Sequence, residues 1–184
     1  MPQVLSLPGR ALLLLVLLLA ACSPGESSRA AAREVLQLMR FDESLQLAVH
    51  YPPATPRGVR DPESLNRCLM GYDTHKVFEE VVSLYATHLS RAELTEMAAF
   101  FRSEAGRARV RWALTEGYLR RGLSVPVDVP VRNDALDAAM ARFAATEAGR
   151  KMDADAPLGQ AVSGLLQTES KQRFTECMQQ AQAT

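Results

Sequence analysis

One stretch of this chain occurs twice, as MAAFFRSEAGR from Met97 to Arg107 and as MARFAATEAGR from Met140 to Arg150. Each copy begins with residues that favour a helix and then reaches a serine or threonine followed by Glu-Ala-Gly-Arg. The hydroxyl groups of Ser103 and Thr146 can cap a second helix, because they accept hydrogen bonds from amides at its start that lack a partner. The repeat therefore predicts a helix, a tight corner and a second helix, formed twice.

The glycine and phenylalanine of each copy suit such a corner. Gly106 and Gly149 lack a Cβ atom, which leaves room for two helices to approach closely. Phe100 and Phe143 are expected to pack the two corners. We interpret these four residues as structural rather than as ligand-binding, since packing is a sufficient explanation for them.

The copies extend over about 90–122 and 133–156. Ser90-Arg91-Ala92-Glu93 is a capping box, in which the serine side chain and the glutamate side chain satisfy each other's backbone amides. Asn133 occupies the matching position of the second copy. Between the copies, Ser124 to Val131 alternates like a strand but contains two prolines, so we predict an extended connector.

Further helix signals lie on both sides of the repeat. A first helix is expected over about 29–50, divided at Phe41-Asp42, where Asp42 can serve as an N-cap. Asp61-Pro62 predicts a short helix with an N-cap followed by a first-position proline. Asp73 or Thr74 is expected to cap the next helix, and the last helix is expected from about Pro157.

These signals predict the fold class. Hydrophobic residues make up 47% of the chain and aromatic residues 6%, as in alanine- and leucine-rich helical proteins. We predict one all-α domain over residues 29–184, a compact helical bundle of helix-turn-helix hairpins with an internal duplicated corner motif.

The N-terminus has the pattern of an export signal. Arg10 precedes an apolar run from Ala11 to Ala21, which is shorter than the roughly 20 residues that span a bilayer. The run ends in Leu-Ala-Ala-Cys22, which resembles the lipobox of bacterial lipoproteins. That resemblance implies a signal peptide over 1–21, lipidation of Cys22 and a flexible tether over 22–28. The alternative is an ordinary secretory signal with an incidental cysteine.

The resemblance also predicts where the protein is located. Ser23 rather than aspartate follows the cysteine, which resembles the signal for the outer membrane in well-understood bacteria. We therefore expect a lipid-anchored protein of the bacterial cell envelope, facing the periplasm. Two or more acyl chains anchor a protein stably.

The two remaining cysteines, Cys68 and Cys177, form an even pair in a compartment that permits disulfides. We predict a structural bridge between them, and the alternative is two free buried thiols. Their spacing suits neither a redox CxxC motif nor a zinc site.

Part of the chain is similar to a known family. Leu84-Tyr85-Ala86-Thr87-His88-Leu89-Ser90-Arg91-Ala92-Glu93-Leu94, followed by Phe100-x-x-Ser103-x-x-Gly106-Arg107, resembles the DUF2059 domain over roughly residues 80–150. The resemblance implies a helical domain of exported bacterial proteins with no catalytic residues to carry over. The chain departs from the family's proline after the corner serine, because Glu104 and Glu147 stand there.

A basic run is the best surface candidate in the sequence. Arginine side chains bind phosphate and carboxylate in a bidentate manner and stack on aromatic rings. The counterparts that we expect in an envelope are lipid headgroups, cell-wall carboxylates or an acidic protein face. The alternative is a solvated helix face with the tryptophan in the core. The candidate interaction surface consists of Arg102, Arg107, Arg109, Arg111, Trp112, Arg120 and Arg121.

No catalytic motif is recognisable in the sequence. His75 and Glu79 are four residues apart and could share a helix face, but no further metal ligand has a suitable spacing, so we interpret them as a solvated pair. Lys+Arg and Asp+Glu are balanced at 21 each, which gives no general attraction to nucleic acid. We predict a non-catalytic interaction module without a cofactor that binds an envelope protein or a cell-wall component; the alternative is an envelope hydrolase with an unrecognised site.

Overall fold

A computed structural model describes residues 25–51, 59–126 and 128–183. These residues contain nine α-helices and no β-strand, which confirms the all-α class. In chain order the helices are α1 (Glu26–Leu38), α2 (Phe41–His50), α3 (Pro62–Met70), α4 (His75–His88), α5 (Arg91–Arg102), α6 (Glu104–Leu119), α7 (Asp134–Ala144), α8 (Glu147–Lys151) and α9 (Pro157–Ala183). Within the described ranges, none of these helices is long and apolar enough to cross a membrane. The predicted signal peptide and the predicted lipidation site at Cys22 lie outside the described residues.

Helix α1 begins earlier than predicted. Residues 26–28, which we had assigned to the tether, form its first turn, where the Glu26 carboxylate suits the positive end of the helix dipole. Farther along α1, Ala32, Val35 and Leu36 are fully buried against α4 and α5. This packing holds the helix in place, so residues 26–28 are part of the folded domain and not of a flexible tether.

The predicted division between α1 and α2 is present, but its cap was assigned wrongly. Arg40 stands at the N-cap position in the left-handed conformation, with φ 51°, and makes no side-chain cap hydrogen bond. Asp42 lies inside the first turn of α2 rather than at the cap. The break between the helices therefore comes from the left-handed backbone conformation of Arg40, which an arginine in the sequence does not predict.

The other caps follow local rules. Asp61 accepts a hydrogen bond from the Ser64 amide at 2.9 Å, and the capping box of Ser90 and Glu93 is formed at the start of α5. Before α4, the Asp73 carboxylate accepts from the amide of His75 at 2.9 Å. These contacts confirm the predicted starts of α3, α4 and α5.

Both copies of the repeat form the predicted corner. Ser103 Oγ accepts from the Gly106 amide at 3.2 Å, and Thr146 Oγ1 accepts from the Gly149 amide at 3.1 Å. A Cβ atom on Gly106 would lie 2.1 Å from the Phe100 carbonyl oxygen, and the corresponding distance at Gly149 is 2.0 Å. Glycine is therefore required here because the backbones of consecutive helices touch.

The two corners also contact each other. The rings of Phe100 and Phe143 stack with centroids 3.9 Å apart and planes 3° apart. Phe101 meets Phe143 edge-on at 6.1 Å, and aromatic contacts of both kinds are favourable. The duplicated motifs thus form one paired unit rather than two separate corners.

A third corner follows α8. A Cβ atom on Gly159 would lie 2.2 Å from the Asp153 carbonyl oxygen, as in the first two corners. The side chain of Gln160 donates to the Asp155 carbonyl, just as Arg107 and Arg150 each donate to the carbonyl five residues before them. Pro157 stands directly after the cap position as the first residue of α9, a position that proline favours, and the chain turns there into the last helix.

Helix α9 closes the fold against α3 and α4. Cys68 and Cys177 are joined by a disulfide, with their Cα atoms 5.5 Å apart, as predicted. Leu65 and Leu69 are buried with Cys177 in a small core of their own. The bridge therefore connects α9 to a helix 109 residues earlier in the chain.

Candidate functional site

The predicted arginine surface is divided by helix α6. Residues four apart on an α-helix share a face, whereas residues two apart point in very different directions. Arg107 and Arg111 accordingly lie on one side of α6, and Arg109 and Trp112 line a groove elsewhere. The basic run forms two surfaces and one interior contact rather than a single patch.

The first surface is a group of four arginines, which we call the arginine cluster. Arg102, Arg107 and Arg111 surround a cavity of about 370 Å³ together with Arg40, which the sequence did not suggest. Its apolar lining includes Phe101 and Val110, both buried, beside the half-buried Leu38. The cluster therefore places guanidinium groups around an apolar floor.

Two of these cations are already paired. Arg102 forms an ion pair with Glu34, and Arg40 pairs with Glu43 at 2.5 Å. Among the described residues, Arg107 and Arg111 have no carboxylate partner. Arg107 donates to the carbonyl of Arg102, which completes the corner described above. The cluster thus keeps a local excess of positive charge.

The second surface lies between α6, α7 and the connector, and we call it the tryptophan groove. It has a volume of about 780 Å³ and contains Arg109, Trp112 and Arg120. Trp112 Nε1 donates to the Pro130 carbonyl at 2.8 Å, and the Arg132 guanidinium lies 4.6 Å from the ring centroid. Trp112 therefore holds the connector against α6.

Arg121 lies apart from both surfaces. Its Nε donates to the Leu47 carbonyl at 2.6 Å and its Nη1 to the Gly117 carbonyl at 2.9 Å. Burial lowers the pKa of this guanidinium. Arg121 therefore joins α2 to α6, in contrast to its neighbour Arg120, which forms an exposed ion pair with Glu116.

A deep apolar groove of about 590 Å³ runs between α9 and the helices α2, α4 and α6. Its lining contains serine and glutamine residues but no histidine, cysteine, aspartate or glutamate. We call it the apolar groove. Its principal apolar residues are Met39, Phe41, Phe101, Val110, Leu158 and Val162.

Two polar side chains enter this apolar groove. Tyr85 is only 6% exposed, and its hydroxyl donates to the Met39 sulfur at 4.0 Å. Burial raises the pKa of Tyr85 to about 12, while the charge of Arg109 acts in the opposite direction. The half-buried Arg109 lines both the apolar groove and the tryptophan groove.

His75 and Glu79 do not form a metal site. Glu79 Oε2 lies 2.6 Å from Arg33 Nη2 and 3.6 Å from Arg29 Nη2, so the carboxylate is engaged with α1. The hydrogen bond from Arg33 lowers the pKa of Glu79. In the part of the chain that the structure describes, no group of three or more His, Cys, Asp or Glu side chains could hold a metal ion.

One family model matches the chain. Residues 76–111 match the family described as "Uncharacterized protein conserved in bacteria (DUF2059)". The matched segment comprises α4, α5 and the first half of α6, and it includes Tyr85 and Arg109. It ends before the second copy of the repeat, so it is shorter than the resemblance over 80–150. No curated protein and no solved structure matches the chain.

Sequence reasoning did not find Arg40 or Tyr85 as site residues. Tyr85 follows the helical spacing of an apolar face, so the pattern indicates a core residue and says nothing about its hydroxyl. Arg40 is a single charge between two helices. No sequence signal indicates that Arg40 lies near Arg111, because that proximity depends on how α1 packs beside α5 and how α2 packs beside α6.

Proposed function

We propose that this protein is a lipid-anchored helical lipoprotein of the bacterial outer membrane that faces the periplasm. It is a non-catalytic interaction module that binds a partner rich in carboxylates, either an envelope protein or a cell-wall component. The lipobox-like sequence at Cys22 supports the anchor and the location. The matched bacterial family is consistent with this setting.

The arginine cluster is the observation that carries the binding proposal. Guanidinium groups pair with carboxylates through two parallel hydrogen bonds, which gives both energy and orientation. Arg107 and Arg111 lack such partners among the described residues, and they lie over an apolar floor. A partner with exposed carboxylates and some apolar surface complements both features.

The lining of the apolar groove supports a non-catalytic role. Hydrolases bring a nucleophile and a base within hydrogen-bond reach of each other. Three serines line this groove, and among the described residues no histidine or carboxylate lines it with Ser44, Ser163 and Ser170. An interaction module is therefore a better match for these residues than the alternative hydrolase.

In-cell photo-crosslinking tests the binding proposal. Benzoylphenylalanine in place of Gln37, beside the arginine cluster, should give a crosslinked partner, whereas the same probe in place of the exposed Thr87 should not. Arg111→Glu should remove the crosslink. In the wild-type protein, the yield of the crosslink should fall as the salt concentration rises. Arg142→Glu makes the same charge change on an exposed site of α7 and should leave the crosslink intact.

A crosslink that persists in Arg111→Glu, or one lost equally in Arg142→Glu, would contradict the binding site. The anchor has its own test, because Cys22→Ala should abolish incorporation of labelled palmitate. A wild-type protein that is unmodified and fractionates as soluble would refute the lipoprotein proposal.

A further inference from the structure

The lining of the apolar groove includes two hydrogen-bond donors without a good acceptor among the described residues. The Tyr85 hydroxyl is almost completely buried, and the Met39 thioether at 4.0 Å is its only partner among the described residues. Thioether sulfur is a weak acceptor, and buried polar groups normally have a strong one. The phenol of Tyr85, whose pKa burial raises to about 12, is protonated at neutral pH and is therefore a donor.

The second donor is the guanidinium of Arg109. It has no carboxylate partner within the described ranges, and the lining of the groove includes no acidic residue. Tyr85 and Arg109 line the same groove, so both donors face one cavity. A buried phenol and a guanidinium in one groove together suit a ligand whose head group is negatively charged and accepts hydrogen bonds.

The remainder of the groove is lined by apolar side chains and suits the hydrocarbon part of a ligand. Phe41, Phe101, Val162 and Leu166 line it, and burial of apolar surface is its main source of binding energy. Its volume of about 590 Å³ falls within the range of about 300–1,000 Å³ that is usual for small-molecule sites.

We propose that the apolar groove binds a long-chain fatty acid in its carboxylate form. One carboxylate oxygen accepts from the Arg109 guanidinium, and the other accepts from the Tyr85 hydroxyl. The alkyl chain lies along the apolar wall that α9 contributes through Val162 and Leu166. A monoanion with two oxygens matches one guanidinium and one phenol, whereas a long-chain alcohol supplies no negative charge for Arg109.

Photoaffinity labelling tests this site. The full chain in phosphatidylcholine nanodiscs is irradiated with a diazirine analogue of palmitic acid, and the labelled peptides are mapped by mass spectrometry. We expect labelling on α9 near Val162 and Leu166. Excess palmitic acid should displace the probe, whereas hexadecanol, which has the same chain length but no charge, should need about tenfold more or higher concentrations to do so.

Two variants and one control separate the head-group contacts from general hydrophobicity. Arg109→Gln and Tyr85→Phe should each reduce labelling at low probe concentration by about tenfold, the effect of losing a hydrogen bond to a charged group. Arg142→Gln removes the same charge at an exposed site of α7, outside both the groove and the arginine cluster, and should leave labelling unchanged. Circular dichroism confirms that each variant is folded, and Tyr85→Phe retains the buried ring.

Labelling distributed over the surface, equal competition by hexadecanol, or full labelling in both head-group variants would overturn the site. These outcomes do not depend on the partner crosslink at the arginine cluster. Failure of one proposal therefore leaves the other standing.

Discussion

The close contact at Gly106 makes a quantitative prediction about the corner. In Gly106→Ala the new methyl group would lie 2.1 Å from the Phe100 carbonyl oxygen and 2.6 Å from the Phe101 Cα. Real Cβ contacts essentially never fall below 3.0 Å, and backbone atoms cannot escape by changing rotamer. Helices α5 and α6 must therefore move apart by about 1 Å, a distortion of the kind that overpacking causes.

The free energy of unfolding then changes through three contributions. Overpacking of a tight contact costs about 1–3 kcal/mol and occasionally more. Separation of the helices also weakens the stack of Phe100 on Phe143, and aromatic pairs of this kind contribute about 0.5–1.5 kcal/mol. Alanine recovers about 1 kcal/mol over glycine through helix propensity. These contributions give a net loss of about 0.5–3.5 kcal/mol, which lowers Tm by about 1–14 °C for a protein of this size.

Urea unfolding followed by far-UV circular dichroism measures the loss, with Gly164→Ala as the matched control. A Cβ atom on Gly164 in α9 meets nothing within 4 Å, so this variant should gain about 0.5–1 kcal/mol. If Gly106→Ala is as stable as the wild type, or gains as Gly164→Ala does, the corner tolerates a methyl group and our reasoning is refuted.

Three other stability predictions follow from the contacts. Reduction of the disulfide should lower the free energy of unfolding by about 2–4 kcal/mol in urea titrations, and an unchanged midpoint would contradict this. The Lys151 ammonium lies 2.6 Å from the Glu93 carboxylate and lowers the pKa of Glu93 below its usual 4.5. The ionised carboxylate therefore stabilises the folded state fully above pH 4.5, and this contribution is lost as the pH falls through the folded-state pKa. Glu93→Gln should therefore be less stable than the wild type by about 1.5–3 kcal/mol at pH 7 and closer to it at pH 3, and an equal difference at both pH values would disprove the effect. Arg121→Met should lose about 1.5–3 kcal/mol in the same assay, whereas Arg120→Met, at an exposed pair, should lose less than about 1 kcal/mol, and similar losses would contradict the interior role of Arg121.

Most helix boundaries could be predicted because their causes are local. The capping box at Ser90 and the Asp61-Pro62 start involve groups within four residues of each other, so the sequence contains all the information that they need. The third corner was missed although its geometry matches the first two. Ala156 replaces the capping hydroxyl there, and Asp153 replaces the phenylalanine, so no residue pattern remains to be recognised.

The candidate sites could be predicted only in part. The residue types of the arginine run indicate anion binding, and Arg102, Arg107 and Arg111 do lie together. Their assignment to one surface with Arg109 and Arg121 was not correct, since the helical rotation of α6 turns these side chains towards different neighbours. Which neighbours they meet depends on α2 and α9, far away in the chain.

By itself, the sequence determined most of the helices and their caps, the two duplicated corners and the pairing of two cysteines in this protein. The helices, caps and corners depend on interactions within a few residues, and the cysteine pairing follows because Cys68 and Cys177 are the two cysteines that remain after Cys22. Only the tertiary structure decided that Tyr85 lies with Arg109 in an apolar groove and that Arg40 completes the arginine cluster. Those arrangements arise when helices distant in sequence pack together, because packing alone determines which polar groups lose their water and which remain without a partner.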